Sequence, residues 1–168
     1  LAMHPSPSPT IIEAGSRRHR VLVVDDQQLV GRSVERLLAG WDDVSVHFYQ
    51  TAAAALAAAR EIRPTVILQD LVMPDIDGAE MVRRYRALPE TEHVPVIMLS
   101  AVEEPAVKAE LLAGGASDYL VKLPDRLELA ARVRLHSEAH ARLLERNAAF
   151  AALEEATTCF PASYRPAP

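Results

Sequence analysis

Apolar runs of about five residues recur along the chain, each followed by a stretch whose apolar positions fall at helical spacing. Arg20 to Val24, Arg-Val-Leu-Val-Val, predicts a strand that stops at Asp25-Asp26. Gln27 to Ala39 repeats Leu29, Val30, Val34, Leu37 and Leu38 on one face, an amphipathic helix that Gly40 ends. Val44 to Tyr49 predicts a second strand. Thr51 can cap the alanine-rich helix Ala52 to Ile62, which Pro64 prevents from continuing. Val66, Ile67 and Leu68 form a third strand that ends in Gln69 and Asp70, with Pro74 and Gly78 marking the loop beyond it. A helix from Ala79 to Leu88 is closed by Pro89. Val94 to Ser100 predicts the fourth strand, with Pro95 near its start. Glu104 to Ala113 is helical and stops at Gly114-Gly115, Ser117 to Val121 is the fifth strand, and Asp125 opens the last helix.

Five strands alternating with five helices predict an α/β fold, a doubly wound parallel sheet of the flavodoxin-like type. Right-handed crossovers favour the order 2-1-3-4-5. In that order Asp25, Asp26, Asp70, Ser100 and Lys122 all lie at carboxyl ends of strands, where open α/β sheets bind ligands.

The last helix is longer than the sheet requires. From Asp125 to about Ala156 nothing breaks it, a rod of roughly 48 Å. Leu129, Val133, His136, His140, Leu143, Asn147 and Phe150 repeat at 4-3 spacing, the pattern of a weak heptad seam. The histidines read as seam or surface residues rather than metal ligands. The expected organisation is a flexible leader over 1–19, a folded domain over 20–135, a helical stalk over 136–156 and a disordered tail over 157–168. The basic run Arg17, Arg18, His19, Arg20 is read as a solvated strand flank.

Composition changes this picture little. The chain of 168 residues is long enough for one domain with a substantial core. Its net charge of -5 argues against direct nucleic-acid binding. A single cysteine, Cys159, forms no internal disulfide, and no apolar run reaches the roughly 18 residues of a membrane span. A cytoplasmic protein with no membrane contact is the expectation.

The candidate chemistry starts with Asp70. A carboxylate ending a buried strand costs several kcal/mol unless something pairs with it. Three carboxylates brought together, Asp25, Asp26 and Asp70, repel one another, and an oxygen-only set with room for water suits Mg²⁺. A carboxylate beside such a cation can attack phosphorus, with Lys122 as a point charge and Ser100 as a hydroxyl donor for the phosphoryl oxygens. Each residue also has a simpler reading. Asp26 could cap the helix after it, Ser100 with Glu103 fits a capping box, and Lys122 could be a solvated strand end. Asp75-Ile76-Asp77-Gly78 lacks calcium-loop spacing and reads as a turn. The joint occurrence of these residues at strand ends favours transfer of a phosphoryl group onto the protein itself.

Residues 20 to 135 resemble the receiver domains of two-component response regulators. The resemblance rests on Asp25-Asp26, Asp70 with Met73-Pro74 and Asp77-Gly78, Ser100-Ala101, Gly114-Gly115-Ala116, and Tyr119 ahead of Lys122. It implies that Asp70 accepts phosphate from a histidine kinase. It further implies that Asp25, Asp26, Asp70 and the backbone carbonyl of Val72 hold Mg²⁺, Asp25 through water. Ser100 and Lys122 would grip the phosphoryl oxygens. Tyr119 would be the switch that turns inward when Ser100 moves, altering the face made by the fourth helix, fifth strand and fifth helix. In one departure, Leu123 separates Lys122 from Pro124, where the family usually has proline directly after lysine.

Thr65 to Pro74 and Asp118 to Asp125 are similar to a narrower group, receivers that precede a GGDEF diguanylate cyclase domain. No Gly-Gly-Asp-Glu-Phe occurs here, so the only chemistry implied is Mg²⁺-dependent self-phosphorylation and autodephosphorylation. The expected partners are a histidine kinase and a second copy of the chain, through the switch face or the helix 125–156. Two alternatives stand beside this reading. One is a receiver-like module that dimerises without phosphorylation. The other is a haloacid-dehalogenase-type phosphatase, which needs a second aspartate where this chain has Val72.

Overall fold

A computed structural model describes residues 18–122 and 124–159. They form a five-stranded sheet in which every pairing is parallel, in the order β2-β1-β3-β4-β5. The elements follow the expected alternation: β1 (His19–Val24), α1 (Gln28–Leu38), β2 (Val44–Tyr49), α2 (Ala52–Ile62), β3 (Val66–Asp70), α3 (Gly78–Ala87), β4 (Val96–Ser100), α4 (Pro105–Ala113), β5 (Asp118–Val121) and α5 (Arg126–Thr158).

Alternation along the strands builds two cores. Leu22, Val24, Ile67 and Met98 face one side and pack with Ala55 and Ala59 of α2 and Met81, Val82 and Tyr85 of α3. Val21, Val23, Leu68 and Leu99 face the other side, under Val30, Val34 and Leu38 of α1 and Leu129 and Val133 of α5. Helices on both faces make the central strands apolar over residues 21–24, 66–68 and 96–99, which is why these runs show no alternation in sequence.

Several details depart from expectation. β4 begins at Val96 rather than Val94. Pro95 has no N–H to give the ladder, although its carbonyl accepts from Ile67 N at 2.9 Å. The left-handed helix cap falls on Arg63 (φ 49°) after α2, whereas Ala39 ends α1 in right-handed geometry. His19 belongs to β1 and is buried, with its ring 4.4 Å from that of Trp41, so the basic run is only partly a solvated flank. Most of the expected leader and tail (1–17 and 160–168) and Leu123 lie outside the described residues.

The largest departure is in α5. Its buried positions are Leu129, Val133, Ser137, His140 and Ala141, so the helix stays on the body of the protein past residue 135. Of the seven heptad positions, Leu129, Val133 and His140 are buried against the domain, and His136 bonds Asp118. Ser137 Oγ lies 2.8 Å from His19 Nδ1 and 2.6 Å from Thr65 Oγ1, a buried polar chain linking α5 to β1 and to the residue before β3. Arg18 pairs with Glu145 at 3.1 Å beyond it. Leu143 is half-buried, and the exposed members of the seam are Asn147 and Phe150.

Candidate functional site

The carboxyl ends of β1 and β3 bring the three predicted carboxylates together. Asp25, Asp26 and Asp70 each offer an oxygen within 4.8 Å of the others. Asp25 and Asp70 are buried and Asp26 is half-buried. The simpler reading of Asp26 is not the one realised: the cap residue of α1 is Gln27, and no side chain caps that helix. Asp25 takes the turn amide instead, its Oδ1 accepting from Gln27 N at 2.9 Å.

Lys122 follows β5 and enters the cluster. Its Nζ is 2.7 Å from Asp25 Oδ2 and 3.0 Å from Asp70 Oδ1, so it is not a solvated strand end. Lys122 is the partner the structure gives Asp25 Oδ2 among the described residues. Burial alone would lower Lys122, but its contacts with Asp25 and Asp70 outweigh that and hold it above its ordinary pKa. Burial raises Asp70 above the usual carboxylate range and the Asp25 charge adds to this, while Lys122 opposes. Three carboxylates against one ammonium leave two excess negative charges when all are ionised. An all-oxygen donor set with that excess of negative charge suits a hard divalent cation.

Ser100 ends β4 beside this cluster. Its Oγ accepts from Val102 N at 3.1 Å, and the cap residue of α4 is Glu104, so the Ser100–Glu103 capping box does not form. A hydroxyl that accepts from a backbone amide still has its own proton to donate. Tyr119 is buried, and its hydroxyl donates to the Val102 carbonyl, so the aromatic ring is turned inward and tied to the loop that Ser100 opens. Val72 N donates to Asp70 Oδ1 at 3.3 Å, while the Val72 side chain is exposed.

The loop after Asp70 is a turn, as expected, and both of its other carboxylates cap helices. Asp77 Oδ1 accepts from Ala79 N at 2.9 Å, and Asp75 Oδ2 accepts from Ala52 N of α2 at 2.8 Å. Gly78 is needed for close approach, since a Cβ there would lie 2.6 Å from the Asp70 carbonyl oxygen. The sequence reading missed one buried partner of the site. Gln69 stands out as polar at the end of an apolar strand, but the residue it meets, Tyr85, looks like any core aromatic on the α3 stripe. Tyr85 Oη donates to Gln69 Oε1 at 3.0 Å.

Comparisons with known proteins agree with this geometry. Residues 21–134 match the family described as "Response regulator receiver domain". The chain is similar to Response regulator PleD of Caulobacter vibrioides, 39% identical over 116 residues, covering 68% of this chain and 25% of that protein. It is also similar to the KDP operon transcriptional regulatory protein KdpE of Escherichia coli, 38% identical over 120 residues, covering 71% of this chain and 52% of that one. Among solved structures, chemotaxis protein CheY4 of Vibrio cholerae superposes with a TM-score of 0.66 at 30% identity, covering 70% of this chain and 98% of that one. The chain thus spans only a quarter to a half of these two curated relatives. Among the described residues no helix is long and apolar enough to cross a membrane.

Proposed function

The chain belongs to the response regulator receiver family, and on that premise we propose that Asp70 is its phosphoryl acceptor and a histidine kinase its phosphoryl donor. The observation that carries this reading is the meeting of Asp25, Asp26, Asp70 and Lys122 at one point, from three strands.

In the proposed reaction an Asp70 oxygen attacks phosphorus in line. As the new P–O bond forms, the P–N bond to the kinase phosphohistidine breaks and the imidazole departs with the bonding pair. Lys122 leaves its ion pair with Asp70 Oδ1 to follow the transferred oxygens, and Ser100 donates its hydroxyl proton to one of them. Asp25, Asp26, Asp70 and the Val72 carbonyl are the groups that would hold Mg²⁺. When bound, the cation neutralises charge on the phosphoryl group. Hydrolysis of the acyl phosphate resets Asp70, and no other enzymatic activity is proposed for these residues.

Intact mass after incubation with acetyl phosphate and Mg²⁺ tests the reading. The expected result is a gain of one phosphoryl group that Asp70→Ala abolishes. No gain, or a gain that survives Asp70→Ala, overturns it, the former favouring a phosphorylation-independent dimerisation module.

For the output, a homodimer through the switch face around Tyr119 or through α5 is proposed, in a cytoplasmic chemosensory-type pathway of the kind that ends in a GGDEF domain. Support comes from the resemblance of Thr65 to Pro74 and Asp118 to Asp125 to that group. In α5 it comes from the exposure of Phe150 and Leu153. Light scattering with and without beryllofluoride reads the change of mass that this output requires.

A further inference from the structure

Gln69 is fully buried on the face of the sheet covered by α3, among apolar neighbours that would accept leucine at lower cost. All of its amide is used. Nε2 donates to the Asp70 carbonyl at 3.0 Å and to Met73 Sδ at 3.2 Å, and Oε1 accepts from Tyr85 Oη at 3.0 Å. The orientation is determined by chemistry, because a carbonyl oxygen can only accept, so the atom facing Asp70 O must be nitrogen. Tyr85, itself fully buried, must then be the donor to Oε1.

These three contacts span the segment that carries the acceptor. Asp70 is its first residue and Met73 its last, and Val72 between them supplies the backbone carbonyl assigned above to the cation. One amide therefore holds both ends of the four-residue turn, and Tyr85 ties that amide to α3. Gly78 closes the same turn from the other side, its backbone against the Asp70 carbonyl and Leu71.

We propose that Gln69 and Tyr85 are positioning residues for the phosphoryl-transfer site, holding the Asp70–Met73 turn so that the Asp70 carboxylate and the Val72 carbonyl face one divalent cation. The inference rests on the reading of Asp70 as acceptor. Neither residue touches the reacting atoms. Both act through the backbone, as partners behind metal ligands do, whose loss commonly costs about tenfold or more in metal affinity.

The test separates positioning from simple packing. In Gln69→Leu, Tyr85 keeps an unpaired hydroxyl, and in Tyr85→Phe, Gln69 keeps an unpaired carbonyl, so each single variant is expected to lower the melting temperature. The double variant Gln69→Leu/Tyr85→Phe removes both partners of the Tyr85–Gln69 bond, leaving only the Asp70 carbonyl without the amide that faced it, and is expected to recover part of that loss. Mn²⁺ binding, measured by water-proton relaxation, and the Mg²⁺ concentration for half-maximal phosphorylation by acetyl phosphate are then read on all four proteins. The expected result is a double variant that melts above either single variant but needs about tenfold more of either cation than the wild type. A double variant with wild-type cation dependence overturns the inference alone, while the acceptor reading survives. A wild-type protein that binds no Mn²⁺ and gains no phosphoryl group overturns both.

Discussion

Lys122 brings its ammonium to within 3.0 Å of Asp70 Oδ1, so the proposed acceptor and the cation proposed for its phosphoryl group are in direct contact. The same ammonium lies 2.7 Å from Asp25 Oδ2, and both carboxylates are buried. Lys122→Met leaves two desolvated carboxylates facing each other without a counter-charge. Urea denaturation with chelator present should show a loss of about 3 kcal/mol, the usual cost of breaking a buried pair. Saturating Mg²⁺ should recover part of it. The phosphorylation rate at saturating Mg²⁺ should fall by about a hundredfold, as when one donor to developing charge is removed.

Gly78→Ala tests the closeness of α3 to the acceptor strand. The added methyl would meet backbone rather than a flexible side chain, 2.6 Å from the Asp70 carbonyl oxygen and 2.7 Å from Leu71 Cα. Relief requires α3 to move away from the turn. A destabilisation of about 1–3 kcal/mol is expected from such overpacking. Slower phosphorylation of Asp70 at a temperature where the variant remains folded is the second readout.

Ser137→Ala removes the hydroxyl that joins His19 to Thr65. Both partners are buried, so the loss should be about 1–3 kcal/mol in denaturant titration. Hydrogen exchange should localise the effect. Amides of α5 from about Ser137 onward are expected to exchange faster, while those of β3 and β4 keep their protection.

A pH dependence follows from the same end of the molecule. Burial holds His19 below its ordinary value, with Arg18 adding to the effect and Asp43 and Glu138 opposing it. Burial likewise lowers His140, with His93, Arg20 and Arg86 contributing. A group whose folded pKa is depressed binds fewer protons when folded than when unfolded. These two histidines therefore contribute full stability above about pH 6.5, and the contribution is lost as pH falls through their folded values. The single tryptophan, Trp41, reports on this because its ring lies 4.4 Å from that of His19. Its fluorescence should change with a midpoint below pH 6.5, and His19→Gln should remove the transition. A midpoint above 6.5 would contradict the assignment.

Much of this protein was legible in the chain alone. Strands buried on both faces must be apolar throughout, so Val21 to Val24, Val66 to Leu68 and Val96 to Leu99 announce themselves. A charged residue can end such a strand only where the sheet opens, which makes Asp25, Asp70 and Lys122 conspicuous. Their convergence follows from chain order and crossover handedness, two constraints that need no coordinates. The turn chemistry of Pro74 and Gly78 was equally local.

Tertiary structure decided whatever depends on a partner far along the chain. Nothing local distinguishes Tyr85 from a core aromatic, and its meeting with Gln69 exists only because α3 lies across β3. Asp75 caps a helix that begins 23 residues before it. The heptad stripe of α5 reads as a seam for another chain along its whole length, but a straight helix of 3.6 residues per turn drifts off a 3.5 repeat, and the first part of the helix packs on this chain's own domain. The buried line runs instead through Leu129, Val133, Ser137 and His140-Ala141, onto the protein's own sheet. Sequence by itself determined which residue types end each strand. Packing determined which of them touch, because contact depends on the separations between elements that no local pattern encodes.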